Sequence, residues 1–360
     1  MRGTIVQFAA IAIVLGAIAA AAPHPVSDDR GVYIDIGRQV PLGDCHNLHC
    51  ARLLIPVVLE HLPGPSLLKW KTYAVLANAG AAVAVGRFSV AVGLPAQSGP
   101  LAAWISALGS GALYTLFDCY TSDPLMYLMG PVLSTLLLQG RLVRAGWLAA
   151  LTVLAKEFAA IPLWTFTIVA ALRRRWEEAT ETLVASMTVT LFWFGSQALL
   201  FAIYNYGYGK NKSADILHGG YLSLWLTSVG AIGAVKYLFT AFSALYILLP
   251  SGFVRSPREL RLIAVASVPA VAALLYVQQP ERALWNFHFV VIPVAVVALR
   301  LLPDRVGWLF VVCFGITNLR FGAQLETGLL GRIALVTSIA LALTAAMRGW
   351  LHRGGAQLEA

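Results

Sequence analysis

Charge is what this sequence is short of. Asp, Glu, Lys and Arg make up 12% of its 360 residues, about half the share carried by a water-soluble domain. However large its core, a soluble chain must still cover its outside with polar groups, so a globular fold surrounded by water is excluded. Cysteine is scarce as well, at 4 residues, too few for a disulfide-stapled scaffold. No internal repeat or low-complexity linker divides the chain, so it is read as one domain over residues 1–360. Sustained apolar–polar alternation, which a membrane β-barrel needs, is missing too.

What is abundant is apolar: 59% of the residues are hydrophobic. Continuous Ala-, Leu- and Val-rich runs lie near 4–22, 67–86, 99–117, 124–139, 145–156, 159–172, 183–203, 221–249, 262–277, 284–300, 307–319 and 327–347. A helix needs roughly 20 such residues to cross a bilayer, and only helices or closed barrels satisfy their backbone there. The expected fold is all-α, a polytopic integral membrane helix bundle of about twelve segments. Residues 4–22 follow Arg2 and end in small residues, like a signal peptide, but the many spans that follow favour a retained first span. The formal net charge of +9 does not point to nucleic acid, because the basic residues sit in short clusters between the runs.

Those clusters set the expected topology. Placing Arg2 in the cytoplasm puts Arg87, Arg141, Arg144, Arg173–Arg175, Arg255, Arg258, Arg261, Arg300, Arg305, Arg348 and Arg353 there too, as the positive-inside rule requires. Merging the short runs 145–156 and 159–172 into one helix would send Arg173–Arg175 outward, so "LAKEFAAIP" is read as an outer turn. Both termini are then cytoplasmic in a multi-pass protein of the plasma (inner) membrane. The longer polar segments, 23–66 and 204–220, face outward, and about 51–62 reads as a helix lying along the membrane surface.

Candidate chemistry gathers on that outer face. Asp28 and Asp29 closely follow the first run, with Tyr33 and Asp35 behind them; a carboxylate beside the membrane suits a general base or a metal ligand, and equally a helix cap. Cys45, His46, His49 and Cys50 interleave too tightly for ordinary zinc spacing, which leaves a disulfide, free thiols or a metal open. Asp123, followed by Pro124, reads as the cap of a helix, and Asp118 as a solvated loop carboxylate. Lys156 and Glu157 neutralise one another or, alternatively, Lys156 meets an anionic headgroup. Arg282, Asn286 and His288 lie where a late run meets the outer surface, and the planar fork of Arg suits phosphate.

The order of an outward loop opening with acids and Tyr33, then "ARLLIP" (51–56), the hairpin "LAKEFAAIPLWTF" (154–166) and "ERALWNFHFVVIP" (281–293) resembles the membrane glycosyltransferases of the GT-C type. That resemblance implies a polyprenyl-phosphate sugar as donor and a glycan, lipid or protein as acceptor. It also implies a catalytic acid at Asp28 or Asp29, with Arg52, Lys156, Glu157, Arg282 and His288 around the substrate. No metal ligands are assigned, and a divalent cation stays open as a cofactor. The rival reading is a multi-span transporter or lipid flippase, against which stand the lack of related halves and the scarcity of carboxylates within the runs.

Overall fold

A computed structural model describes residues 2–23, 28–38, 49, 52–204, 220–270 and 280–358. Among the described residues all regular structure is helical. The first helix, α1 (Arg2–Ala21), is followed by two short ones, α2 (Asp28–Arg38) and α3 (Leu54–Glu60), and then by α4 (Ser66–Ala91). The chain continues through α5 (Ser98–Ala107), α6 (Ser110–Phe117), α7 (Asp123–Leu138), α8 (Leu142–Thr152), a 3₁₀ turn at Glu157–Ala160, α9 (Ile161–Leu172) and α10 (Trp176–Tyr204). After it come α11 (Gly220–Phe242), α12 (Leu245–Arg255), α13 (Arg258–Ser267), α14 (Pro280–Leu284), a 3₁₀ turn at Trp285–Phe287, α15 (His288–Leu299), α16 (Asp304–Phe321) and α17 (Gly328–Leu358).

The described part of every apolar run falls on a helix. Among the described residues 6 helices are long and apolar enough to cross a bilayer singly, or up to 7 if α11 and α12, bent by 61°, form one broken span. The chain is a multi-pass membrane protein. A short helix, α3, lies within the segment 51–62.

Small residues let the helices approach. A Cβ on Gly86 would stand 2.6 Å from the Gly99 carbonyl oxygen, and one on Gly252 would stand 2.1 Å from that of Val294, backbone-to-backbone contacts of the kind that replace the hydrophobic effect between membrane helices. Trp285 occupies the space left by Gly109 and Gly111 and stacks on Phe242 at 5.2 Å and on His288 at 5.4 Å.

The hairpin around Lys156 has the two-helix form expected from the Arg clusters. Trp164 Nε1 donates to Thr190 Oγ1 at 3.1 Å, and the Thr167 and Ser186 hydroxyls meet at 3.2 Å, so α9 runs antiparallel to α10. Val153, at the end of α8, shares a cavity wall with Thr190 and Trp193, which puts the tip of the hairpin at that level. The base of the hairpin, with Arg141, Arg144 and Arg173–Arg175, therefore lies at the opposite end. There Arg300 donates to Gln97 at 2.7 Å, Arg255 to the Gly349 carbonyl at 2.7 Å, and Arg173 pairs with Glu259. The helix ends richest in Arg thus share one end of the bundle.

Candidate functional site

The other end holds a buried ionic cluster centred on Asp123. Pro124 supplies a first turn without a backbone donor to satisfy, so α7 starts abruptly, with Asp123 as its first residue. The Asp123 carboxylate is 2% exposed. It accepts from Arg282 Nη2 at 2.6 Å and Nε at 3.1 Å, and its second oxygen pairs with the Lys156 ammonium. Arg282 also donates to Thr121 Oγ1 at 3.1 Å and lies over the Tyr114 ring at 4.9 Å. Lys156 sits over Phe158 at 5.1 Å. Two cations with aromatic faces behind them converge on one carboxylate, an arrangement that compensates the cost of burying charge.

Around this hub a second set of groups closes the site. Arg52 Nη2 donates to Glu157 at 3.2 Å, and Arg52 Nη1 and the Tyr33 hydroxyl reach His49 Nδ1 at 3.0 and 3.1 Å. Tyr33 carries α2 onto the bundle against Trp70, with ring centroids 5.5 Å apart. Arg30, three residues earlier, lies over Tyr120 at 5.6 Å. The same helix is fastened at its far end, where Arg38 Nε donates to Glu60 at 3.2 Å. Glu60 also accepts from Ser66 at 2.8 Å, Lys69 at 3.3 Å and Trp70 at 2.9 Å. Burial alone would raise the Glu60 carboxyl. The hydrogen bonds from Ser66, Trp70 and Lys69, with the Lys69 charge, outweigh it and hold the group below its ordinary value.

Of the residues singled out in the sequence, Arg52, Lys156, Glu157 and Arg282 meet in this cluster. His288 does not open onto it: the ring is fully buried, its Nδ1 is 2.8 Å from the Trp285 carbonyl oxygen, and it meets Tyr127 edge-on at 5.8 Å. Asp28 and Asp29 form the first turn of α2; their side chains lie outside the described residues, as do Cys45, His46 and Cys50. Residues 205–219, most of the second polar segment, lie outside them too. Among the described residues no group of three or more His, Cys, Asp or Glu is placed to hold a metal ion.

Three readings need correction. Asp123 is not a helix cap: its side chain makes no capping bond, because both oxygens are committed to Lys156 and Arg282. Asp118 is not solvated but 7% exposed, within electrostatic reach of Arg282. Lys156 and Glu157 do not simply neutralise one another, because extended backbone at Lys156 (φ −169°, ψ 141°) separates the side chains and each finds a partner on another element. Sequence reasoning missed Asp123 as the hub, although the cost of an unpaired charge at membrane depth, argued for Lys156, applied equally to it. Cys119, beside the cluster, is buried, and burial pushes its thiol up to about 12.

Two apolar cavities border the cluster. One of about 650 Å³ begins at Glu157 and Phe158 and runs between α9, α10 and α13, past Trp164 and Trp193. The other, of about 460 Å³, lies between α12, α13 and α15 and reaches Leu284 and Phe287. No protein-family model matches the chain, and no curated protein matches it. Among solved structures the chain is similar to ArnT from Cupriavidus metallidurans in the apo state, at 14% identity and a TM-score of 0.49, over 97% of this chain and 77% of that one.

Proposed function

We propose that this protein is a membrane glycosyltransferase that moves a sugar from a polyprenyl-phosphate donor to an acceptor at the extracytoplasmic face. One observation carries the reading: cations from three separate segments, Arg52, Lys156 and Arg282, are held on Glu157 and Asp123, and Glu157 itself lines an apolar cavity of about 650 Å³. A lipid-linked phosphate needs that pairing, with a place for the tail beside donors for the head. The Arg-rich end then faces the cytoplasm, and the cluster faces away from it.

In the reaction a carboxylate takes the proton from the acceptor hydroxyl as its oxygen attacks the anomeric carbon. The bond from that carbon to the phosphate oxygen breaks, and polyprenyl phosphate departs with one more negative charge. Lys156 and Arg282 meet that developing charge, while Arg52, paired with Glu157, lines the approach. The base is assigned to the first turn of α2. Asp28 and Asp29 are the two candidates.

Sugar transfer from a polyprenyl-phosphate donor by purified protein in liposomes tests the proposal. Whichever of Asp28→Asn and Asp29→Asn removes the base should lose turnover by about a hundredfold or more, a general-base contribution, with donor binding nearly unchanged. Arg282→Lys should weaken donor binding and slow turnover together. Full activity in both Asp28→Asn and Asp29→Asn would remove the catalytic assignment. Donor bound and moved across the bilayer without transfer, for every acceptor tried, would favour a flippase.

A further inference from the structure

The Arg-rich end of the bundle carries a second site, unconnected with the cluster at Asp123. Between α8 and α10 runs an apolar groove of about 630 Å³, floored by Gly146 and Ala150 and walled by Trp147, Leu151, Val184 and Phe192. Its α8 wall extends from Leu142 to Leu151, about 14 Å of helix, with Leu154 just past the helix end. That is close to the depth of one leaflet of a bilayer whose hydrocarbon core is about 30 Å thick.

The mouth of the groove is polar and two-signed. Arg141 and Arg144 flank the α8 wall where it begins, both exposed. On the α10 side Glu181 lines the groove itself, and Glu177 stands one turn nearer the end. None of these four side chains makes a hydrogen bond or ion pair with a described residue, although Arg175 and Glu178 beside them pair at 3.3 Å and Arg173 pairs with Glu259. Glu181 thus lines the groove, while Arg141 and Arg144 stand beside it at the start of the α8 wall, so both signs of charge occur at one end of it. Trp147 and Trp176 are 76% and 67% exposed there, and exposed Trp marks the headgroup level of a membrane.

We infer that this groove binds one zwitterionic phospholipid carrying a primary ammonium. An acyl chain fills the groove, the phosphate meets Arg141 and Arg144, and the ammonium meets Glu181. A guanidinium takes a phosphate by charge-assisted hydrogen bonds, and a carboxylate takes an ammonium in the same way. An anionic headgroup would bring its second polar group against Glu181 without a donor of opposite charge. A quaternary ammonium would offer charge without N–H donors.

The full-length protein, purified in detergent, is exposed to equal amounts of dioleoyl phosphatidylethanolamine, phosphatidylcholine and phosphatidylglycerol, and the lipid retained is read by native mass spectrometry. The expected result is preferential retention of a single phosphatidylethanolamine. A Cβ on Gly146 would meet nothing within 4 Å, so Gly146→Trp starts from open space and projects its ring into the groove; it should cut retention about tenfold or more, with the melting temperature read alongside to separate a folding defect. Glu181→Gln, at an exposed position, removes the charge that lines the groove while keeping the size of the side chain. It should abolish the preference for phosphatidylethanolamine over phosphatidylcholine while leaving phosphatidylcholine binding as it was. Preference for phosphatidylglycerol would overturn the zwitterionic assignment. Retention equal for all three lipids, or unaffected by both variants, would reduce the groove to ordinary lipid-facing surface. None of these outcomes depends on sugar transfer, so the groove and the proposed activity stand or fall separately.

Discussion

Replacing Asp123 by Asn separates the two roles open to an acid at the start of a helix. As a cap, Asn is as good as Asp, and the substitution would cost almost nothing. As a counter-ion it cannot be replaced by an amide. The carboxylate is 2% exposed and binds Arg282 through two bonds of 2.6 and 3.1 Å as well as Lys156, whose side chain is 10% exposed. Asn would present one neutral oxygen to one cation and an NH₂ group to the other, leaving two buried positive charges facing each other. Breaking a buried pair from one side costs about 3–5 kcal/mol, and Asp123→Asn should fall in that range. The measurement is reversible unfolding of the purified protein in detergent, run as a double-mutant cycle with Lys156→Gln. The double variant should recover about 1–3 kcal/mol relative to the sum of the singles, because it removes one of the stranded charges. A phosphate-bearing lipid that supplies the missing negative charge should stabilise Asp123→Asn more than the unsubstituted protein. A loss under ~0.5 kcal/mol with no coupling would return Asp123 to the role of a cap and take apart the cluster as described.

Glu60→Gln tests the fastening of α2: with its carboxyl held below the ordinary 4.5, the charged form contributes stability fully above the unfolded-state value and loses it as pH falls through the lower folded value. The substitution should therefore cost about 1.5–3 kcal/mol at pH 7, shrinking toward zero in acid, in unfolding curves taken across pH. Gly111→Ala would push a Cβ to 2.1 Å from the Trp285 ring, which cannot swing away from its stack on Phe242 and His288. The same assay should show a loss of about 1–3 kcal/mol. Cys119, 2% exposed and with its thiol pushed up to about 12, should resist alkylation at pH 8 in the folded protein and react only on unfolding. Reporter fusions after residues 175 and 258 should read the same side of the membrane and one after 212 the other; equal readings at 175 and 212 would undo the hairpin at Lys156.

The helices were legible because their signal is cumulative. A run such as 67–86 needs no single residue to be right, and Arg clusters such as Arg173–Arg175 vote together on topology. The hairpin tip at Lys156 was readable for the same reason: one topology kept those arginines with the others. The cluster itself was only half legible. Lys156, Arg52 and Arg282 stood out as cations beside apolar runs, but Asp123, the partner of Lys156 and Arg282, precedes a proline, and a local rule for capping explained it away. What decides Asp123 is the approach of α14, more than 150 residues later, which no local pattern encodes. Glu60 was hidden similarly, since Arg38, Ser66, Lys69 and Trp70 gather on it from two flanking segments. His288 shows the reverse error, a polar residue near the cluster in sequence that helix rotation turns into the packing beneath it.

Depth gives the cluster its chemical meaning. The tip of the Lys156 hairpin is level with Thr190 and Trp193 of α10, about 25 Å along that helix from the exposed Trp176 at the Arg-rich end. Beyond that level α10 still exposes Leu199, Phe201 and Ile203, at 59%, 48% and 59%, residues suited to lipid rather than water. If the exposed Trp176 marks one boundary of a hydrocarbon core of about 30 Å, Asp123, Lys156 and Arg282 fall near the other. Charges at that depth are too costly to leave unpaired, which accounts for the ion triad, and they lie within reach of a lipid phosphate without the lipid leaving its leaflet. A wholly water-borne anion would have to be stripped of solvent to reach them, whereas a lipid-linked one arrives at that boundary with its tail already beside the cavity at Glu157.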